Sequence, residues 1–331
     1  MKFMEELKRS SLLKGGILGI SLLMIILFSS SIVLADDEAP VKHLFNLKKT
    51  EDGTLNYPAD VKVAPNGEIF VLDTGNNQIV VYDQEGNYLR QFGDGGDDEG
   101  EVEYPLSFAI NKKNQIYIAD TENHRVEVLD KNGNYLFEFG IEGEEGDKEG
   151  QFNRPIGITI GNDGLVYVSD LKNHRIQVFN QKGEFITIIG EFGRRDGQFK
   201  YPVGLITAPE SNDLYVVDTL NFRIQIFEED GKKEWEFDDT FGRVGNREGS
   251  FARPKDIAID EEERIYVTDS FLGLVQVLDD DGEFLFKIGG ETKKPLFKQA
   301  LGIYIDDKTN RLYVADRGNN QIQVYKITDL K

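Results

Sequence analysis

Cysteine is absent from all 331 residues, and histidine and tryptophan are nearly so, at three and one. Without cysteine there is no disulfide framework, no thiolate chemistry and no lipid-modified cysteine near the N-terminus. Three histidines make a poor stock for zinc, which takes three or four nitrogen or sulfur ligands converging at about 2 Å. Basic residues are short as well. Lysine and arginine number 38 against 59 acidic residues, a net charge of -21, so a phosphate backbone is repelled and nucleic acid is not an expected partner. Glycine, by contrast, is plentiful at 34 residues, as a chain with many turns requires.

The first 35 residues differ in kind from the rest. Lys2, Lys8, Arg9 and Lys14 precede the uncharged run "GGILGISLLMIILFSSSIVLA", Gly15 to Ala35, which is followed at once by "DDEAP". This is an export segment. Two readings of it stand. Val33, Leu34 and Ala35 suit cleavage before Asp36, whereas 21 apolar residues are long enough to remain as a membrane anchor. Either way the basic end stays in the cytoplasm and everything from Asp36 onward lies outside it. The expected organisation is a signal peptide or anchor over residues 1–35, a short acidic linker over 36–40, and one domain over 41–331.

That domain is repetitive. "DTGNNQIVV" from Asp73 recurs as "DTENHRVEV" from Asp120, "DLKNHRIQV" from Asp170, "DTLNFRIQI" from Asp218, "DSFLGLVQV" from Asp269 and "DRGNNQIQV" from Asp316, at steps of 47, 50, 48, 51 and 47 residues. A proline keeps the same beat at Pro58, Pro105, Pro155, Pro202 and Pro254, with Leu301 of "ALGI" taken as its sixth counterpart. Within a unit, runs such as "SFAIN", "QIYIAD", "RVEVLD" and "YLFEFG" are short, rich in β-branched and aromatic residues, and separated by turn residues. Asn132-Gly133 between the third and fourth runs predicts a two-residue hairpin turn, and Gly86, Gly183, Gly231 and Gly282 hold the matching place elsewhere.

Four antiparallel strands repeated six times predict an all-β, six-bladed β-propeller. The sixth unit ends after its third strand, while "HLFNL", His43 to Leu47, matches the fourth strands "YLFEF" and "FLFKI". The N-terminal strand is therefore expected to complete the last blade and close the ring. The unit from Gly150 to Gly190, with its Gln-Phe, proline, Ile-Gly and Asp-x-x-Asn-x-Arg pattern, closely resembles the NHL repeat, whose Asn-His-Leu triplet is here Asn-His-Arg at Asn123 and Asn173. WD40 repeats do not fit the single tryptophan, nor kelch repeats the lack of a glycine pair per unit. The resemblance covers about residues 41 to 331. It implies the propeller but no one activity, because NHL-like propellers include metal-using peptide-amidating lyases, RNA-binding domains, sensor domains and secreted proteins. The lyases rely on several histidines near the channel, a pattern from which this chain departs.

Read alone, Asp120, Asn123, His124 and Arg125 look catalytic. Their recurrence in unit after unit makes them structural instead: the aspartate should accept hydrogen bonds from its turn and Arg125, Arg175 and Arg223 should pair with it. No catalytic or metal-ligating residue is assigned. Ligand-binding residues are expected in two places. At the start of the innermost strands, Asp60, Ser107, Gly157, Gly204, Asp256 and Gly302 ring the channel, where Asp60 and Asp256 would suit Ca2+ or a cationic ligand. On the loop face, Leu171, Leu220, Phe222, Phe271 and Leu272 replace the polar turn residues of the other units. The flanking loops there carry Arg194, Arg195, Lys200, Arg243, Arg247, Lys293, Lys294 and Lys298, opposite the acidic "GDGGDDEGEVE" and "IEGEEGDKEGQFN". Apolar residues rimmed by charge mark contact surfaces. The expectation is a monomeric, exported, non-enzymatic scaffold binding protein, peptide or cell-surface glycan. The rival is a metal-dependent lyase or hydrolase at the channel mouth.

Overall fold

In a computed structural model, the structure describes residues 40–140, 145–229, 234–290 and 296–328. The leader, the linker up to residue 39, Gly231, Lys293 and Lys294 lie outside them. Blade 1 is built from Asp60–Val63, Ile69–Asp73, Gln78–Tyr82 and Tyr88–Phe92, and blade 2 from Ser107–Ile110, Ile116–Asp120, Arg125–Leu129 and Tyr135–Gly140. Blades 3, 4 and 5 begin at Pro155–Ile160, Pro202–Thr207 and Pro254–Ile259 and repeat the order. Blade 6 takes Ala300–Asp306, Arg311–Asp316 and Gln321–Ile327 from the C-terminal end, with Val41–Leu47 hydrogen-bonded outside them as its fourth strand. The ring is thus closed by the two ends of the domain, as its sequence requires.

The register corrects two details. In blade 6 it is Ala300 that pairs with Asp316, as Pro155 pairs with Asp170, so the counterpart of the proline is Ala300 and not Leu301. The hairpin between third and fourth strands is a three-residue loop. Asp130 and Asn134 pair across it, only Gly133 has positive φ, at 91°, and the Asp130 carboxylate accepts the amides of Asn132 and Asn134. This is a turn followed by one left-handed residue, the next commonest hairpin solution. The Asp130 side chain supplies the local acceptor that selects it.

Between blades the sheets pack face to face through six apolar clusters, one per junction. Phe152, Phe199, Phe251 and Phe297 are fully buried where each incoming loop meets the ring. Phe152, for example, packs between Phe139 of blade 2 and Phe179 of blade 3. Burying a phenylalanine contributes about 2 to 3 kcal/mol, so these loop phenylalanines hold neighbouring blades together.

Blade 2 contains one electrostatic anomaly. Where blades 3 to 6 carry Gln177, Gln225, Gln276 and Gln323, blade 2 has Glu127, fully buried beside Asp120 and Arg125. Its Oε1 accepts the Gly100 amide at 2.7 Å, as Gln177 accepts that of Gly150, but its Oε2 has no hydrogen bond. Burial pushes Glu127 up to about 8, against the pull of Arg125. A carboxyl whose folded pKa is raised contributes most below its unfolded value of 4.5, and that stability is lost as pH rises through 8. Glu127→Gln should therefore raise stability at pH 8 by about 1 kcal/mol and flatten the dependence between pH 4.5 and 8, measured by urea unfolding across that range.

Candidate functional site

The repeated aspartate ends the second strand of every blade and is completely buried at Asp73, Asp120, Asp170, Asp218, Asp269 and Asp316. In blade 2, Asp120 Oδ1 accepts the Glu103 amide at 2.7 Å, and Oδ2 accepts Asn123 Nδ2 at 2.8 Å and Arg125 Nε at 3.0 Å. Burial pushes this carboxyl up to about 6 despite those donors. The arginine then turns outward and donates to the carbonyls of Asp97, Asp98 and Glu101. Arg175 and Arg223 repeat the arrangement in blades 3 and 4. The cluster is a staple joining a turn to the incoming loop. Blade 5 has Leu272 and Leu274 where blade 2 has the donors Asn123 and Arg125, and Asp269 takes the amides of Ala252, Arg253, Phe271 and Leu272 instead.

The histidines have a second task that the repeat alone does not reveal. His124 adopts a left-handed backbone, φ 57°, and its Nδ1 accepts the Arg154 amide of the next blade at 3.1 Å. His174 does the same for Tyr201, and Asn77 and Asn320 serve Tyr104 and Tyr57. Asparagine and histidine are among the residues best able to occupy that backbone region, and both offer an acceptor. Phe222 and Gly273, at the corresponding places in blades 4 and 5, cannot. There the amides of Arg253 and Gln299 go to the aspartates of their own blades.

At the channel, a cavity of about 180 Å3 runs between the innermost strands, lined by Lys62, Ser107, Thr159, Asp256, Tyr304 and a set of isoleucines. Asp60 is buried and ion-paired to Lys62 at 2.6 Å, and its Oδ2 accepts Ser107 Oγ at 2.8 Å and the Phe108 amide. Asp256 accepts the Ile303 amide at 3.0 Å. Gly302 lies between the two, with Asp60 Oδ1 at 2.8 Å from where a Cβ would stand. Burial raises Asp256 above the ordinary carboxylate range, Lys62 opposing and Asp60 adding to it. Where Ca2+ or a cationic ligand is expected, the Lys62 ammonium pairs with Asp60, the Ser107 hydroxyl and the Phe108 amide donate to the same carboxylate, and Asp256 takes a backbone amide. Among the described residues no group of three His, Cys, Asp or Glu side chains could hold a metal ion.

The loop face divides the apolar candidates. Leu171 is half-buried against the apolar cluster between blades 4 and 5, and Phe222 and Leu272 are also partly covered. Leu220 and Phe271 are exposed, Phe271 by 73%. Arg194, Arg195 and Arg243 are exposed in the loops beside them, while Asp94, Asp97, Asp98 and Glu99 are exposed over blades 1 and 2. Two apolar residues missed by the sequence reading join the first group. Phe192 and Val244 are 62% and 68% exposed, and aligning the loops after Gly93, Gly190 and Gly242 would have found them, since Gly95 holds their place in the first loop.

The latch predicts that His124→Asn leaves thermal stability unchanged, because asparagine performs the same role at Asn77 and Asn320. His124→Ala should lower it by about 1 to 2 kcal/mol through the lost acceptor and the left-handed backbone. Thermal unfolding of the two variants checks this, and a metal-ligating His124 would give the opposite result for the asparagine.

The comparisons agree with this architecture. The "6-bladed beta-propeller" family model matches residues 40–144, and the NHL repeat model matches 152–179 and 297–325. Protein brain tumor of Drosophila melanogaster is 32% identical over 121 residues, 36% of this chain but 11% of that protein, so the match spans about a tenth of the relative's length. Among solved structures, virginiamycin B lyase from Staphylococcus aureus is 15% identical with a TM-score of 0.57, covering 84% of this chain and 82% of the lyase. A gluconolactonase from Xanthomonas campestris is 14% identical with a TM-score of 0.63, covering 87% and 89%. At such identities the likeness is one of fold. With its matched repeats and its closed ring, the chain carries NHL repeats and folds as a six-bladed β-propeller.

Proposed function

We propose that the chain is an exported or membrane-anchored binding scaffold, non-enzymatic, whose loop face over blades 3 to 5 docks a protein, peptide or cell-surface glycan. One observation carries the reading: Phe192, Leu220, Val244 and Phe271 are exposed together with arginines on one sector of one face. Aromatic and arginine side chains are the usual anchors of an interface. The same sector is where the inter-blade latch gives way to Phe222 and Gly273, so the turns depart from the common pattern without any gain in stability that the fold requires. Residues 1–35, with their basic end and apolar run, support an extracytoplasmic location, tethered or released.

A second reading, an enzyme working at the channel, is favoured by Asp256, a carboxyl whose raised pKa suits general acid or base catalysis and which borders the cavity. A hydrolase or lyase of this kind would lose turnover on Asp256→Asn.

The scaffold reading is tested by chemical cross-linking on intact cells of the native host, followed by recovery of the full chain. Phe192→Ser with Phe271→Ser should reduce the recovered partner at least about tenfold, the equivalent of one interface hot spot. Unchanged recovery would remove the proposed surface. Digestion of the loops by protease added outside intact cells is the expected result for location.

A further inference from the structure

The channel mouth carries a charge opposite to that of the chain as a whole. Each blade presents there the residues flanking its proline and the middle of its aspartate turn. Blades 1 and 2 contribute Tyr57, Tyr104, Glu103 and Glu122. Blades 3 to 6 contribute Lys172, Lys200, Arg253, Lys255 and Arg317, along with Arg154, which is paired with Glu122. Arg317 reaches from the blade 6 turn over the rings of Tyr57 and Tyr104, at 5.3 and 5.5 Å, and donates to the Tyr104 hydroxyl.

Two of these cations stand together at the start of the innermost strand of blade 5. Among the described residues, the side chains of Arg253 and Lys255 make no hydrogen bond and no ion pair. Partial burial lowers the Lys255 pKa, and Arg253 and Arg317 push it the same way, against Asp269. Asp269 opposes that repulsion from a distance but forms no ion pair with either side chain, its two oxygens taking four backbone amides. A protein of net charge -21 has therefore gathered like charges at the end of its channel, with no carboxylate of its own ion-paired to Arg253 or Lys255 among the described residues. Phe271 stands on the same blade, 73% exposed, and Leu220 on the neighbouring one.

We propose that this mouth binds an acidic peptide segment, one or more of whose carboxylates sit among Arg253, Lys255 and Arg317 while its apolar side chains lie against Phe271 and Leu220. The proposal rests on the loop-face reading and gives its partner a chemistry. Charge complementarity selects the acidic chain, because cations gathered against self-repulsion recover that cost when an anion arrives. The apolar flank selects a peptide, since a polyphosphate backbone has nothing to place there. Tyr57 and Tyr104 are already engaged by Arg317 and hold that guanidinium over the mouth.

The test uses the purified full chain in detergent and two fluorescein-labelled synthetic peptides, one alternating glutamate with leucine and one with glutamine in place of every glutamate. Fluorescence anisotropy should show binding of the first only, weakening as salt rises. Lys255→Met with Arg253→Gln should lower affinity at least about tenfold. Neither side chain has a partner to lose, so an unchanged melting temperature separates this effect from misfolding. Equal binding of both peptides, or no change in the double variant, overturns the proposal. If in that case Phe271→Ser abolishes binding, the loop-face reading survives without the anion site. An oligonucleotide of equal charge that binds more tightly than the glutamate peptide also overturns it.

Discussion

The buried aspartate at the end of each second strand is the constraint on which the ring depends. A propeller blade must bind its incoming loop to a turn that comes later in sequence, and both segments expose backbone amides that strand pairing cannot satisfy. One carboxylate answers the need by accepting from both. Asp120 joins Glu103 to Asn123 and Arg125, and Arg125 continues the chain of bonds to the loop carbonyls. The cost is burial, visible in the raised pKa values of Asp73, Asp120, Asp170 and Asp218. It is offset because no oxygen of these carboxylates is left without a donor.

Given that staple, the neighbouring positions are free to vary, and their variation distinguishes the blades. His124, His174, Asn77 and Asn320 use their left-handed turn to reach the next blade. Blades 4 and 5 give up this contact. The aspartate in blade 5 still has its full set of donors, but all of them are backbone, so its turn carries no sequence obligation beyond shape. That freedom is what lets Phe271 face solvent.

Much of this was legible in the sequence. Six units, four strands each and an N-terminal strand closing the ring follow from spacing and alternation, and the aspartate staple follows from its recurrence. The hairpin was misjudged because Asn132-Gly133 suits a two-residue turn locally, whereas the Asp130 side chain stabilises a longer one. The sixth proline position was displaced by one residue because Ala300 resembles nothing in its siblings. Asp60 and Asp256 were legible as channel residues, but their chemistry was not. Lys62 is two positions from Asp60 on the same strand, and only the curvature of the ring puts it on the same cavity as Asp256.

The sequence by itself determined the number of blades, the order of strands and the way the ring closes, since those are set by local patterns repeated at fixed intervals. Only the tertiary structure decided which charges meet. Lys255, Arg253 and Arg317 come from two blades and converge at the mouth, and Arg317 spans from blade 6 to a tyrosine more than two hundred residues earlier. Charge acts through space, and closing a circle brings together residues whose separation along the chain carries no information about their distance.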